Sequence, residues 1–85
     1  MVFSIQDDIV YSCFRKNLKR IRLEKGESQF SLSEKAELHF TYISQIERGK
    51  RKHISLINAV RLATALGVAV SDFFVDLDQY RYRQS

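Results

Sequence analysis

Apolar and polar positions along this 85-residue chain alternate with helical spacing. Val10, Phe14, Leu18 and Ile21 fall three or four residues apart and predict a first helix from Ser4 to Lys25 with one apolar face. Asp7 and Asp8 near its start and Lys25 at its end suit the helix dipole, and Gly26 supplies a C-terminal cap. Ser28 is a good N-cap for a short second helix through about Ala36, with Leu32 and Ala36 facing inward. A turn at Glu37 and Leu38 leads to a third helix, roughly Phe40 to Arg48, with Ile43 and Ile46 inward and Gly49 at its end. A basic loop, Lys50 to Ile54, follows. Ser55 caps a fourth helix whose apolar face is read as Leu56, Ala59, Val60, Ala63 and Leu66, and Gly67 stops it. Ser71 and Asp72 open a short fifth helix carrying Phe73, Phe74 and Leu77. The tail from Asp78 to Ser85 is polar, with Tyr80 and Tyr82.

The absence of proline and the presence of only three glycines strengthen the helical pattern into an all-α reading. The chain has room for one domain, 1–85, and its 45% hydrophobic and 28% charged content is ordinary for a folded protein. So small a core gains from dimerisation. The net charge of +4 suits an anionic partner, nucleic acid being the commonest, although charge alone fits a merely basic domain equally well. The single cysteine, Cys13, excludes an intramolecular disulfide, fits a reduced cytoplasmic setting, and reads as a small apolar helix residue. No apolar run approaches the roughly 20 residues of a membrane span, and the start lacks the basic character of a signal peptide. His39, His53 and Cys13 have no metal-ligand spacing. With no glycine-rich phosphate loop and no triad-like arrangement, the expectation is a non-enzyme without a metal or cofactor.

The third helix carries the chemistry. With Ile43 and Ile46 on one face, Thr41, Ser44, Gln45 and Arg48 lie on or beside the other. Thr and Ser can bond base edges or phosphates, Gln can pair with adenine, and Arg reads guanine or grips phosphate. Phe40 and the Thr41 methyl can contact a thymine methyl. Alone, this is also the pattern of a short amphipathic helix with a solvated face. The preceding helix tips the balance. Gln29 sits just after a capped N-terminus, where free backbone N–H groups attract phosphate, and Arg48, Lys50, Arg51 and Lys52 follow the reading helix, placed to hold phosphates across the groove.

The segments Ser28-Gln29…Leu32, Thr41-Tyr42-Ile43-Ser44-Gln45-Ile46-Glu47-Arg48-Gly49 and Ser55-Leu56…Leu62-Ala63…Ala65-Leu66-Gly67-Val68 resemble the lambda-repressor-like (Cro/repressor, XRE) helix-turn-helix family over a core of about 18–74, with 75–85 as a polar tail. The resemblance implies five helices, the second and third forming the DNA-binding unit. It implies a phosphate contact for Gln29, base-facing positions for Phe40, Thr41, Ser44 and Gln45, and a backbone contact for Arg48. It also implies a salt bridge between Arg22 and Glu47, where each charge would need the other if the pair is buried. Glu37 stands where the family usually has a turn glycine, so that the helix ends without a positive φ or the turn is mildly strained. Glu27 replaces an apolar residue, and His39 is a poorer N-cap than Ser or Asp. The run from Thr41 to Gly49 with Arg51 and Ser55-Leu56-Ile57-Asn58 further resembles restriction–modification controller proteins, which implies that Arg51 also reaches DNA.

The expectation is a homodimeric, sequence-specific transcriptional regulator that binds double-stranded DNA. Two reading helices about 34 Å apart would engage a pseudo-palindromic operator, with Val70, Phe73, Phe74 and Leu77 at the dimer interface. At least one of the two phenylalanines is expected to close the core instead. With no room for a ligand domain, no small-molecule effector is expected. A phage or plasmid repressor of the same fold and an antitoxin-like protein-binding module, its tail clasping a partner, are the alternatives.

Overall fold

The computed structural model describes residues 7–51 and 53–79. Four α-helices, α1 (Asp7–Glu24), α2 (Gln29–Ala36), α3 (Phe40–Glu47) and α4 (Leu56–Leu66), are followed by a 3₁₀ turn, Val70–Phe74. Residues 77–79 are helical again, so the start of the expected polar tail is structured. The expected start of the first helix at Ser4 lies outside the described residues.

Local chemistry sets the boundaries. Ser28 Oγ accepts the Ser31 N–H at 2.9 Å while Ser31 Oγ accepts the Ser28 N–H at 2.9 Å, a reciprocal cap that fixes the start of α2. Ser55 Oγ accepts the Asn58 N–H at 3.1 Å and starts α4. The fifth element begins one residue earlier than expected. Asp72 reaches back to accept the Ala69 N–H at 3.1 Å, and the backbone winds as a 3₁₀ turn rather than an α-helix. A five-residue segment cannot sustain the α ladder, and 3₁₀ pieces of this length are common.

The core joins Phe14, Leu18 and Ile21 of α1 to Leu32 and Ala36, Ile43 and Ile46, and then to Ala59, Leu62, Ala63, Leu66 and Phe73. On α4 the predicted apolar face is rotated from the observed one. Ala59, Leu62, Ala63 and Leu66 are buried, whereas Leu56 and Val60 are 75% and 42% exposed. Positions 59, 62, 63 and 66 form one stripe at helical spacing, and α4 turns that stripe toward α2.

Phe73 is a second correction. It is fully enclosed, its ring centroid 4.8 Å from that of Phe14, so it cannot belong to a surface that meets a second chain. Phe74 lies beside Phe14 at 5.8 Å and, with Val70 and Leu77, remains half-buried. Buried Asn17 anchors this end of the fold: its amide donates to the Phe73 and Val75 carbonyls at 3.0 and 3.1 Å. The Cys13 thiol lies in the same place and donates to the Val75 carbonyl at 3.3 Å. Burial, reinforced by the charge of Asp76, pushes its pKa up, which keeps it a protonated packing group.

Candidate nucleic-acid interface

α2, the turn at Glu37–Leu38 and α3 form a helix-turn-helix whose back is fastened to α1. Leu32, Ala36, Ile43 and Ile46 are buried, so α3 turns its isoleucines inward and its polar side chains out. At the turn, Glu37 adopts the left-handed conformation (φ 56°, ψ 41°) and its N–H is spent on the carbonyls that end α2. The chain thus takes the strained option for this position, since a side chain here costs energy that glycine avoids. The Glu37 carboxylate reaches Arg61 of α4 at 3.5 Å, a weak exposed pair. His39 does cap α3: its Nδ1 accepts the Thr41 N–H at 3.1 Å.

The far end of α3 is held by a buried ion pair. Arg22 donates through Nε and one terminal nitrogen to the two Glu47 oxygens at 2.7 and 2.9 Å, the bidentate geometry that suits guanidinium and carboxylate. The other terminal nitrogen donates to the Glu27 carbonyl at 2.8 Å. The two side chains are 9% and 3% exposed. Gln29 joins this network, its amide donating to Glu47 at 3.1 Å. This Gln29–Glu47 bond is absent from the sequence reading, because nothing periodic links positions 18 residues apart. Glu27, the other departure, is absorbed locally: its carboxylate accepts from Lys35 and from the Ser31 hydroxyl, and these bonds hold its pKa below the usual glutamate value.

Outward, Phe40, Thr41, Arg48, Lys50 and Arg51 are exposed, and Ser44 and Gln45 are half-exposed, together giving one polar and basic surface around α3. The chain leaves α3 through Gly49 in the left-handed conformation (φ 73°), and the Lys50 N–H returns to the Gln45 carbonyl at 2.8 Å. This curl brings Arg51 back along the helix. Its guanidinium lies 4.6 Å from the centre of the Tyr42 ring and donates to Gln45 Oε1 at 3.2 Å. A side chain at position 49 would also press on Arg15 of α1, whose guanidinium would sit 3.1 Å from the added carbon. Lys52, the remaining predicted phosphate contact, lies outside the described residues. The Tyr42 hydroxyl is buried with no hydrogen-bond partner among the described residues.

One feature of this face escaped the sequence reading. Phe30, the second residue of α2, is 60% exposed, and its ring centroid lies 6.5 Å from that of Phe40. The available signal was an aromatic residue at the start of each helix of the pair.

A helix-turn-helix family model matches residues 18–73. The control protein C.MunI from Mycoplasma is 39% identical over 78% of this chain and 89% of its own length. The control protein C.BamHI from Bacillus amyloliquefaciens is 45% identical over 69% of this chain and 73% of its own length. Among solved structures, the restriction-modification controller protein C.AhdI from Aeromonas hydrophila superposes with a TM-score of 0.71 at 36% identity, covering 81% of this chain and all of that one. These relatives are transcription regulators rather than enzymes, and among the described residues no helix is long and apolar enough to cross a membrane. A helix-turn-helix braced from behind and basic in front, matched by the family model over most of its length and by control proteins in sequence and shape, makes this chain a member of the helix-turn-helix family of transcriptional regulators.

Proposed function

We propose that the chain acts in the cytoplasm as a homodimeric controller of restriction–modification genes, binding a two-fold operator with one α3 in each half-site. The observation that carries this reading is the division of α3. Ile43 and Ile46 are enclosed and Glu47 is locked to Arg22, while Phe40, Thr41, Ser44 and Gln45 face outward beside Arg48, Lys50 and Arg51. A helix fixed in this way enters a major groove with its first residues at the base edges. Arg48, Lys50, Arg51 and Lys52 hold phosphates. Gln29 gives one amide hydrogen to Glu47 and keeps a second for a phosphate.

A single α3 reads only a few base pairs, so specificity calls for a second copy. The apolar surface for that contact is Leu56, Ile57 and Val60 of α4, exposed by 75%, 62% and 42%, together with half-buried Val70, Phe74 and Leu77. The control-protein relatives supply the regulatory context.

Selection of bound duplexes from a random pool tests the reading. A consensus with two-fold symmetry is expected, whereas no enrichment over bulk DNA would overturn it. Thr41→Ala or Gln45→Ala should then cost about 1–3 kcal/mol at particular base pairs. Ile57→Glu should shift the sedimentation profile toward monomer, and an unchanged profile would move the dimer contact off α4.

A further inference from the structure

Phe30 and Phe40 are 60% and 43% exposed, and their rings stand side by side, centroids 6.5 Å apart and planes tilted by 50°. Single exposed apolar side chains are normal, but two aromatic rings meeting at the surface from separate helices form a patch that calls for an occupant. The patch also sits at a particular place. Phe40 is the first residue of α3, and Thr41 beside it is exposed. The first residues of a reading helix are the ones that meet base edges.

A phenylalanine ring neither donates nor accepts a conventional hydrogen bond. The apolar feature that the unmodified bases present in the major groove is the C5 methyl of thymine. Cytosine presents an amino group and guanine a carbonyl oxygen, and pressing either against two rings strips it of water without replacing its hydrogen bond. Phe30 makes the contact selective by walling Phe40 on one side, so a methyl group would be enclosed between ring and helix instead of brushing a mobile side chain.

We propose that the Phe30–Phe40 pair is a methyl reader: it selects a pyrimidine carrying a C5 methyl group at one position of each half-site, thymine in ordinary DNA, and prefers 5-methylcytosine to unmodified cytosine. The proposal rests on the operator-binding reading above and assigns the specificity of its least polar position. Phe40 touches the methyl, and Phe30 positions Phe40.

The test uses the selected operator with each thymine replaced singly by deoxyuridine, which removes the methyl and leaves the pairing edge intact. Burying one methyl corresponds to about a four-fold change in affinity, so loss from both half-sites should weaken dimer binding about fifteen-fold. This loss is expected at one symmetry-related pair of thymines. It should vanish in Phe40→Ala, shrink in Phe30→Ala and persist in part in Phe40→Leu. On an operator carrying cytosine at that position, 5-methylcytosine should bind the wild-type chain about four-fold more tightly per half-site than cytosine, and Phe40→Ala should show no such gain. Both replaced side chains stand at the surface, and matching thermal unfolding curves confirm intact folds. If wild type and Phe40→Ala respond identically to deoxyuridine at every position while binding the operator specifically, the methyl reader is wrong and operator binding stands. Unaltered operator binding by Phe40→Ala would likewise overturn the methyl reader. If no operator is selected at all, both readings fall.

Discussion

Replacing Arg22 with Met should cost about 3–5 kcal/mol of folding stability, because the change strands a charge. The Glu47 side chain is 3% exposed. It accepts two bonds from Arg22, at 2.7 and 2.9 Å, and one from Gln29 at 3.1 Å. Methionine fills the space of the arginine stem and leaves the carboxylate with Gln29 alone. A domain of this size has roughly 4–13 kcal/mol of total stability, so the variant would sit near the edge of folding. The double variant Arg22→Met, Glu47→Leu should behave differently. Both charges are gone, and what remains is the Glu27 carbonyl and the Gln29 amide without their partners, worth about 1 kcal/mol each and offset by the added apolar contact. It should therefore lie within about 2 kcal/mol of the wild type, with a coupling energy of at least about 2 kcal/mol between the two sites.

Urea unfolding of the wild type, both single variants and the double variant at neutral pH measures these differences. A cost below about 1 kcal/mol for Arg22→Met, or simple additivity in the double variant, would refute the account of a stranded buried charge.

Four further outcomes follow from individual residues. Arg48→Ala should weaken binding similarly on all sequences and reduce the salt slope by about one unit, and unchanged binding across a salt series would remove Arg48 from the contact set. Glu37→Gly should raise stability by roughly 1 kcal/mol by relieving the left-handed backbone at φ 56°, and a lower thermal midpoint would show that the Arg61 pair outweighs the strain. Tyr42→Phe should be neutral or stabilising by up to about 1 kcal/mol, because it removes a buried hydroxyl that lacks a partner among the described residues, and a clear loss would reveal a partner. Glu27→Gln should lower the melting temperature at neutral pH. Since Glu27's folded pKa is depressed, the contribution is present above about pH 4.3 and lost as pH falls through the folded value, so the gap should close in acid. A gap that persists there would trace to packing.

What the sequence revealed and what it concealed divide along a physical line. The starts of α2 and α4 were legible because Ser28 and Ser55 act within three residues of themselves. The inward faces of α2 and α3 were legible because Leu32, Ala36, Ile43 and Ile46 leave little choice of stripe. α4 was not, because Leu56, Val60 and Leu62 offer two apolar stripes, and only the packing against α2 selects between them. Phe73 and Phe74 are neighbours with identical side chains, and the position of Phe14 decides which one is enclosed. At the site, helical spacing pointed to the outward residues of α3, and family resemblance pointed to the Arg22–Glu47 pair. The Gln29–Glu47 bond and the Phe30–Phe40 contact join residues with no common period, and so required the folded chain.

These long-range contacts give α3 two unlike ends. Its C-terminal end is rigidly referenced to α1 through Glu47, and the basic residues proposed to hold phosphate follow directly from there. Its N-terminal end, about 10 Å away along the axis, rests on a strained turn, an imperfect cap and two exposed aromatic rings. On the proposed reading, changing a residue at the first end should alter how the helix is held and weaken every base contact together. Changing Phe40 or Thr41 at the other end should leave the Arg22–Glu47–Gln29 brace intact and alter what is read. Two departures from the family pattern, Glu37 and His39, stand at this second end beside Phe40, where the proposed operator preference of this chain can diverge from its relatives without loosening the helix that carries it.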